Sequence, residues 1–128
     1  MEEKISPARM QTRAVHAGDR KTLEGLEDIL GRRINTIHIV GGGTQNELLT
    51  QMTADACGRT VVAGPVEATA IGNILVQAMA TGDVKSLADA RATVRNSFDV
   101  KRYDPKPDKK WDAAYQKYRE VSAKSAAR

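Results

Sequence analysis

A chain of 128 residues, 41% of them hydrophobic, carries material for one core and one ordinary domain, and its apolar runs stay well short of the roughly 20 residues that cross a bilayer. Its single cysteine, Cys57, excludes an internal disulfide, and its two histidines, His16 and His38, have no metal-ligand spacing around them. The net charge of +4 is localised, since residues 1–100 carry 11 Lys/Arg and 12 Asp/Glu while residues 101–128 carry 9 and 4; with one Trp, one Phe and three Tyr, a solvated basic tail fits better than a nucleic-acid surface.

The N-terminal "MEEKISPARM" lacks the apolar core of a secretory signal, which points to the cytoplasm. Residues 1–20 show no sustained period, and Pro7 and Gly18 interrupt them, so they read as an irregular lead-in. In "KTLEGLEDILGRR", Leu23, Leu26, Ile29 and Leu30 fall at helical spacing and Gly31 supplies the stop. "INTIHIV", residues 34–40, is β-branched and almost continuously apolar, as expected of a strand covered on both faces. That setting makes His38 a hydrogen-bonded core histidine. Three glycines follow. Thr44 and Glu47 then read as a T-x-x-E capping box, and Leu48, Leu49, Met52 and Ala56 as the apolar stripe of a helix that ends at Gly58.

"TVVAG" reads as a second short strand. "PVEATAIGNILVQAMATG" reads as a helix entered after Pro65 and closed by Gly82; it is apolar nearly all round, which predicts burial. Strand, helix, strand, helix implies parallel strands joined by a crossover. "SLADARATVRNSF" gives a further helix with Leu87, Ala90, Val94 and Phe98 on one side, and "DVKRYDPKPD" a polar connector. The last helix starts near Asp108 and aligns Trp111, Tyr115, Tyr118 and Val121, a stripe that reads as packing; Cys57 reads as a buried structural thiol. These elements divide into residues 1–20, a lobe over 21–104, and a basic C-terminal helix over 105–128 packed on or beside it.

The junction "IHIVGGGTQNELL" carries the functional question. No Gly-Lys pair exists, so a P-loop is excluded, and Gly41, Gly43 and Asn46 complete only two glycines of a dinucleotide fingerprint. Glycines between a strand and a helix start let a ring or ribose approach the backbone, with free N–H groups nearby and Asn46 offering both a donor and an acceptor. The same residues also suit a tight turn with an N-cap, and spacing alone leaves both readings open.

The continuous stretch from "IHIVGGGTQN" through "ADACG" to "GPVEATAIGNILVQ" resembles the C-terminal lobe of FGGY-type carbohydrate kinases, over about residues 21–120 and most strongly over 37–82. The resemblance implies part of an α/β actin-like ATPase lobe of ribonuclease-H-like fold, with parallel strands and flanking helices. It implies ATP and Mg2+ as cofactors, with Gly42 meeting ATP through its backbone, Gly41 and Gly43 shaping the loop, and Asn46 near the adenosine. Within the family the segments look most like those of kinases acting on the 1-hydroxyl of L-rhamnulose. No catalytic role passes to Asp55 or Glu67, whose ordinary reading is a helix-surface and a helix-start acid. In such kinases the catalytic base, the sugar site and the first phosphate loop lie on an N-terminal lobe. The chain is therefore expected to be a fragment with a new start at residues 1–20, which do not resemble the family. It should be inactive alone and meet L-rhamnulose only with a complementary lobe; a stand-alone nucleotide-binding or regulatory module is the alternative.

Overall fold

The computed structural model describes residues 7–126, with side chains from residue 15. Helix α1, Pro7–Leu30, is longer than expected. The irregular lead-in is corrected over 7–20, while residues 1–6 lie outside the described residues. Pro7 is tolerated because it heads the helix, where its missing N–H would have had no partner. Gly18 costs the helix about 1 kcal/mol relative to alanine. It lets the Tyr118 ring close in, since a Cβ there would sit 3.4 Å from the hydroxyl. Gly31, at φ +63°, ends the helix as expected.

Strand β1, Thr36–Ile39, pairs in parallel with β2, Thr60–Ala63, with Thr36 opposite Thr60 and Ile39 opposite Ala63. Helix α2, Glu47–Cys57, connects them and closes at Gly58, φ +61°. A third strand, β3, Lys101–Tyr103, runs antiparallel on the other side of β2 and makes the sheet mixed. It lies inside the stretch expected to be a polar connector. Lys101 and Arg102 are exposed there, bonded to Glu47 and Asp104 respectively. An edge strand pairs through its backbone and carries charge outward, so it shows no apolar alternation.

The order β1-β2-β3 makes β1 an edge strand, with Thr36 and His38 exposed and Ile37 and Ile39 half-buried. Coverage on both faces and a core His38 are both corrected. The buried histidine is His16 on α1, whose Nδ1 lies 3.3 Å from Asp19 Oδ2 and from Thr53 Oγ1, with the Trp111 ring edge-on.

Helices α1, α2 and α5, Lys109–Ala126, pack together, and α2 covers β2. Ala17 and Leu23 of α1, Ala54, Ala56 and Cys57 of α2, Val61 of β2 and Tyr115 of α5 form the core. The buried face of α2 differs from the expected stripe: Leu48 is 72% exposed, and Thr50 and Thr53 are buried instead. Their hydroxyls donate to the carbonyls of Asn46 and Leu49, each at 3.0 Å, so the turn behind satisfies them. Asp108 begins α5 by accepting from the Lys110 N–H. Tyr115 lies under the Arg20 guanidinium and donates to Glu24; burial, then this bond, push its hydroxyl up to about 12. Of the aromatic stripe, Trp111, Tyr115 and Tyr118 pack, while Val121 stays exposed.

Helix α3, Ala68–Thr81, ends at Gly82 as read, and α4, Leu87–Ser97, starts on a Ser86 cap. Ala90 of α4 is buried, but Leu87 and Phe98 are exposed. The expected burial of α3 fails throughout, with none of its residues buried and Ile74 and Val76 each 66% exposed. Among the described residues, three short strands and four other helices leave no layer over it.

Arg59 closes the base of the fold. Its guanidinium donates twice to Glu27, at 2.8 and 3.1 Å, and to the Ile34, Cys57 and Gly58 carbonyls. The Glu27 carboxylate also accepts the Ile34 N–H. The Arg59 bond, followed by the backbone bond, holds the Glu27 carboxyl below its ordinary 4.5. A lowered folded-state value means that this contribution is complete above pH 4.5 and is lost as pH falls through the lower folded value. Glu27→Gln should therefore lower the thermal midpoint by several degrees at pH 7 and by progressively less as acid protonates the wild-type carboxylate. Parallel melts across that range check it, and a pH-independent difference would contradict the ion-pair account.

Candidate functional site

The loop after β1 is tied to the turn after β2. Gly41, at φ +86°, donates its N–H to the Pro65 carbonyl at 3.2 Å, and Gly64 donates to the Ile39 carbonyl at 2.9 Å. These two bonds continue the parallel pairing past the ends of the strands. Gly41 needs its freedom, because L side chains rarely adopt that backbone conformation. Gly64, at φ +118°, needs it more, since a Cβ would meet the Asp99 carbonyl at 3.1 Å.

Residues Gly42–Gln45 then make one turn of 3-10 helix. Thr44 is buried beneath it, and both its N–H, at 3.1 Å, and its hydroxyl, at 2.7 Å, donate to the Gly41 carbonyl. The expected T-x-x-E capping box is therefore corrected. Asn46 caps α2 instead, its Oδ1 accepting from the Leu49 N–H at 3.0 Å. Glu47 turns to Lys101 on β3, which lowers the acid's pKa and raises the lysine's.

Gly42 and Gly43 differ from Gly41. Both are exposed, and a Cβ built on either meets nothing within 4 Å. Among the described residues, nothing requires glycine at these two positions. Their N–H groups, at the opening of the 3-10 turn, have no backbone partner outside it among the described residues. The four residues singled out from sequence, Gly41, Gly42, Gly43 and Asn46, thus lie on one short turn with an open face. Asn46 uses one lone pair of its Oδ1 on the cap and keeps its amide NH2.

Sequence reasoning missed Gly64 and Pro65, which hold the turn, and made Thr44 a helix cap where it anchors the turn instead. The Gly-Pro pair directly after an apolar strand was the available signal. Asp55 and Glu67 stay outside the loop. Asp55 Oδ1 accepts from Gln51 Nε2 and the Lys106 N–H, both at 2.8 Å, while Glu67 stands at the start of α3. Cys57 is buried, and desolvation, then the Asp19 charge, push its thiol up to about 11, so it carries no nucleophile at neutral pH. The loop sequence "GGGTQN" contains no titratable side chain.

The fold is that of an actin-like ATPase lobe. A solved xylulose kinase from Rhodospirillum rubrum superposes with a TM-score of 0.66 over 95% of this chain and 26% of its own, at 22% identity. The model of the FGGY family of carbohydrate kinases, C-terminal domain, matches residues 6–81. The chain belongs to the FGGY carbohydrate kinase family. Its relatives include the rhamnulokinases of Bacteroides thetaiotaomicron, 48% identical over 75% of this chain and 20% of the relative, and Bacillus subtilis, 49% identical over 66% and 17%. The chain thus spans about a fifth of the length of these curated relatives. The family match starts at residue 6, so the expected loss of resemblance before residue 21 is corrected, in agreement with the continuous α1.

The two kinds of glycine make a stability prediction. Gly64→Ala should cost about 1 to 3 kcal/mol through strain and the Asp99 contact, whereas Gly42→Ala should leave stability close to wild type. Urea melts of the two variants check this, and equal losses would show that the open face at Gly42 is packed in solution.

Proposed function

We propose that this chain forms the ATP-side part of an L-rhamnulose kinase, with Gly41, Gly42, Gly43 and Asn46 receiving the adenosine end of ATP or ADP. The observation that carries the reading is the open face of Gly42 and Gly43, where glycine is present without any demand from the chain's own packing. A ring or ribose laid on that face is excluded by any Cβ. Kinship with rhamnulokinases at close to half identity supports L-rhamnulose as the acceptor, at its 1-hydroxyl, in the cytoplasm.

The loop orients the nucleotide and nothing more. Phosphoryl transfer needs a base within hydrogen-bond reach of the attacking hydroxyl, and the loop has no such group. Mg2+ finds no fit in the residues present: among those described, no three His, Cys, Asp or Glu side chains gather, and the loop has no carboxylate. Base, sugar contacts and metal ligands belong in this reading to a complementary N-terminal lobe. The uncovered apolar face of α3 supports such a partner, because exposed apolar surface of this kind marks an interaction site.

Calorimetric titration with ATP and ADP should show binding that Gly42→Val weakens by about tenfold or more, the cost of one excluded contact, without lowering the thermal midpoint. Equal affinity in both proteins would reduce the glycines to a turn. In a coupled assay the purified chain should consume no ATP in response to L-rhamnulose, and turnover should appear when the N-terminal lobe of a rhamnulokinase is added. Turnover by the chain alone would overturn the division of labour. ATP binding with no gain from the lobe would favour a stand-alone nucleotide-binding module.

A further inference from the structure

A cleft of about 520 Å³ opens at the other end of β2 from the glycine loop, between the α2 terminus, the α1–β1 turn and the segment joining β3 to α5. The two ends are distinct because Gly58 and Arg59, which precede β2, line the cleft, while Pro65, which follows β2, holds the glycine loop. Its size falls in the range of about 300 to 1,000 Å³ usual for small-molecule sites.

The charges lining it do not cancel. Five cations face three carboxylates, a lining sum of +2. Asp112 is paired with Arg20 at 2.9 Å, while Asp55 accepts only from Gln51 and the Lys106 N–H, and Asp108 only from the Lys110 N–H, neutral donors that leave both their charge. Arg59 is committed to Glu27, and it also covers the Cys57 and Gly58 carbonyls that would repel an anion. Arg33, Lys106 and Lys109 remain without a side-chain hydrogen bond among the described residues, although the Arg33 charge also acts on Glu27. Set against the unpaired charges of Asp55 and Asp108, these three still leave the cleft with a net positive field.

Two of those cations sit on a preorganised segment. Asp104 is bonded to Arg102 and to the Thr60 hydroxyl, its carbonyl accepts from Gln51, and the Lys106 N–H is pinned on Asp55. Pro105 and Pro107 stiffen the chain on either side of Lys106. These prolines and Trp111 give the cleft an apolar wall beside the cations.

We propose that this cleft is a second binding site, for a small phosphorylated metabolite whose phosphate dianion lies among Arg33, Lys106 and Lys109 and whose organic body lies on Pro105, Pro107 and Trp111. Paired charge-assisted hydrogen bonds supply the affinity, and the proline and indole wall separates a phosphate ester from free phosphate. The site is independent of the nucleotide loop and does not rest on the kinase reading.

Trp111 is the chain's only tryptophan and reports on the site directly. Its fluorescence is titrated with ribose 5-phosphate and, separately, with inorganic phosphate, in wild type and in Lys106→Ala/Lys109→Ala. That variant keeps the Lys106 N–H bond to Asp55, and Arg33→Gln provides a second variant should it fail to fold. The expected result is a saturable change with ribose 5-phosphate in the millimolar range or below, weakened about tenfold or more by loss of two charge-assisted contacts and by added salt, with an unchanged thermal midpoint. Equal response to phosphate alone would identify the free anion as the ligand of the same site. No saturable change up to millimolar concentrations, or the same change in wild type and variant, would overturn the proposal, as would duplex DNA competing at the same lysines with higher affinity.

Discussion

Arg59 is the tie on which the arrangement of the other elements depends. One guanidinium, only 14% exposed, reaches the Glu27 carboxylate near the end of α1, the Ile34 carbonyl ahead of β1, and the last carbonyls of α2. It thereby joins the start of both parallel strands to the helices that precede them. Arginine suits this place because its planar fork serves a carboxylate and several carbonyls at once, where lysine offers a single point charge. With these ends anchored, β1 and β2 keep register, and their far ends deliver the glycine loop and the Gly64–Pro65 turn side by side.

That delivery explains why the glycines are unequal. Gly41 and Gly64 answer to the backbone, one through its positive φ and its bond to Pro65, the other through positive φ and the nearby Asp99 carbonyl. Gly42 and Gly43 answer to nothing among the described residues. Beneath them Thr44 bonds twice to Gly41, so the open face is also a firm one. Were a flat ligand to lie there as proposed, a surface already bare and held from beneath would cost it little in ordering.

Helix α3 shows the opposite imbalance. Its fourteen residues carry no charge and bury none of themselves, although a helix apolar on all sides ordinarily lies in a core. The chain spans about a fifth of the length of its curated relatives. The basic tail has a plainer explanation: α5 turns Tyr115 inward against Arg20 and Glu24 and leaves its lysines in solvent.

The stretch from residue 37 to 82 was legible as a member of its family, and its helix ends at Gly31, Gly58 and Gly82 were legible because each needs a left-handed residue there. The positions of Gly41, Gly42, Gly43 and Asn46 on one loop followed from strand-to-helix order, and so did the parallel pairing of β1 and β2. Local chemistry alone determined these features. Burial was another matter. The inner face of α2 is made by threonines that bond to their own helix, so hydropathy pointed to Leu48 instead. Strand β3 pairs through its backbone and shows no pattern in its side chains. Whether His16 or His38 entered the core depended on which neighbours the fold supplied: α2 and α5 close over His16, while β1 lies at the sheet edge. Periodicity can say which residues would accept burial, but the packing of distant segments decides which of them receive it.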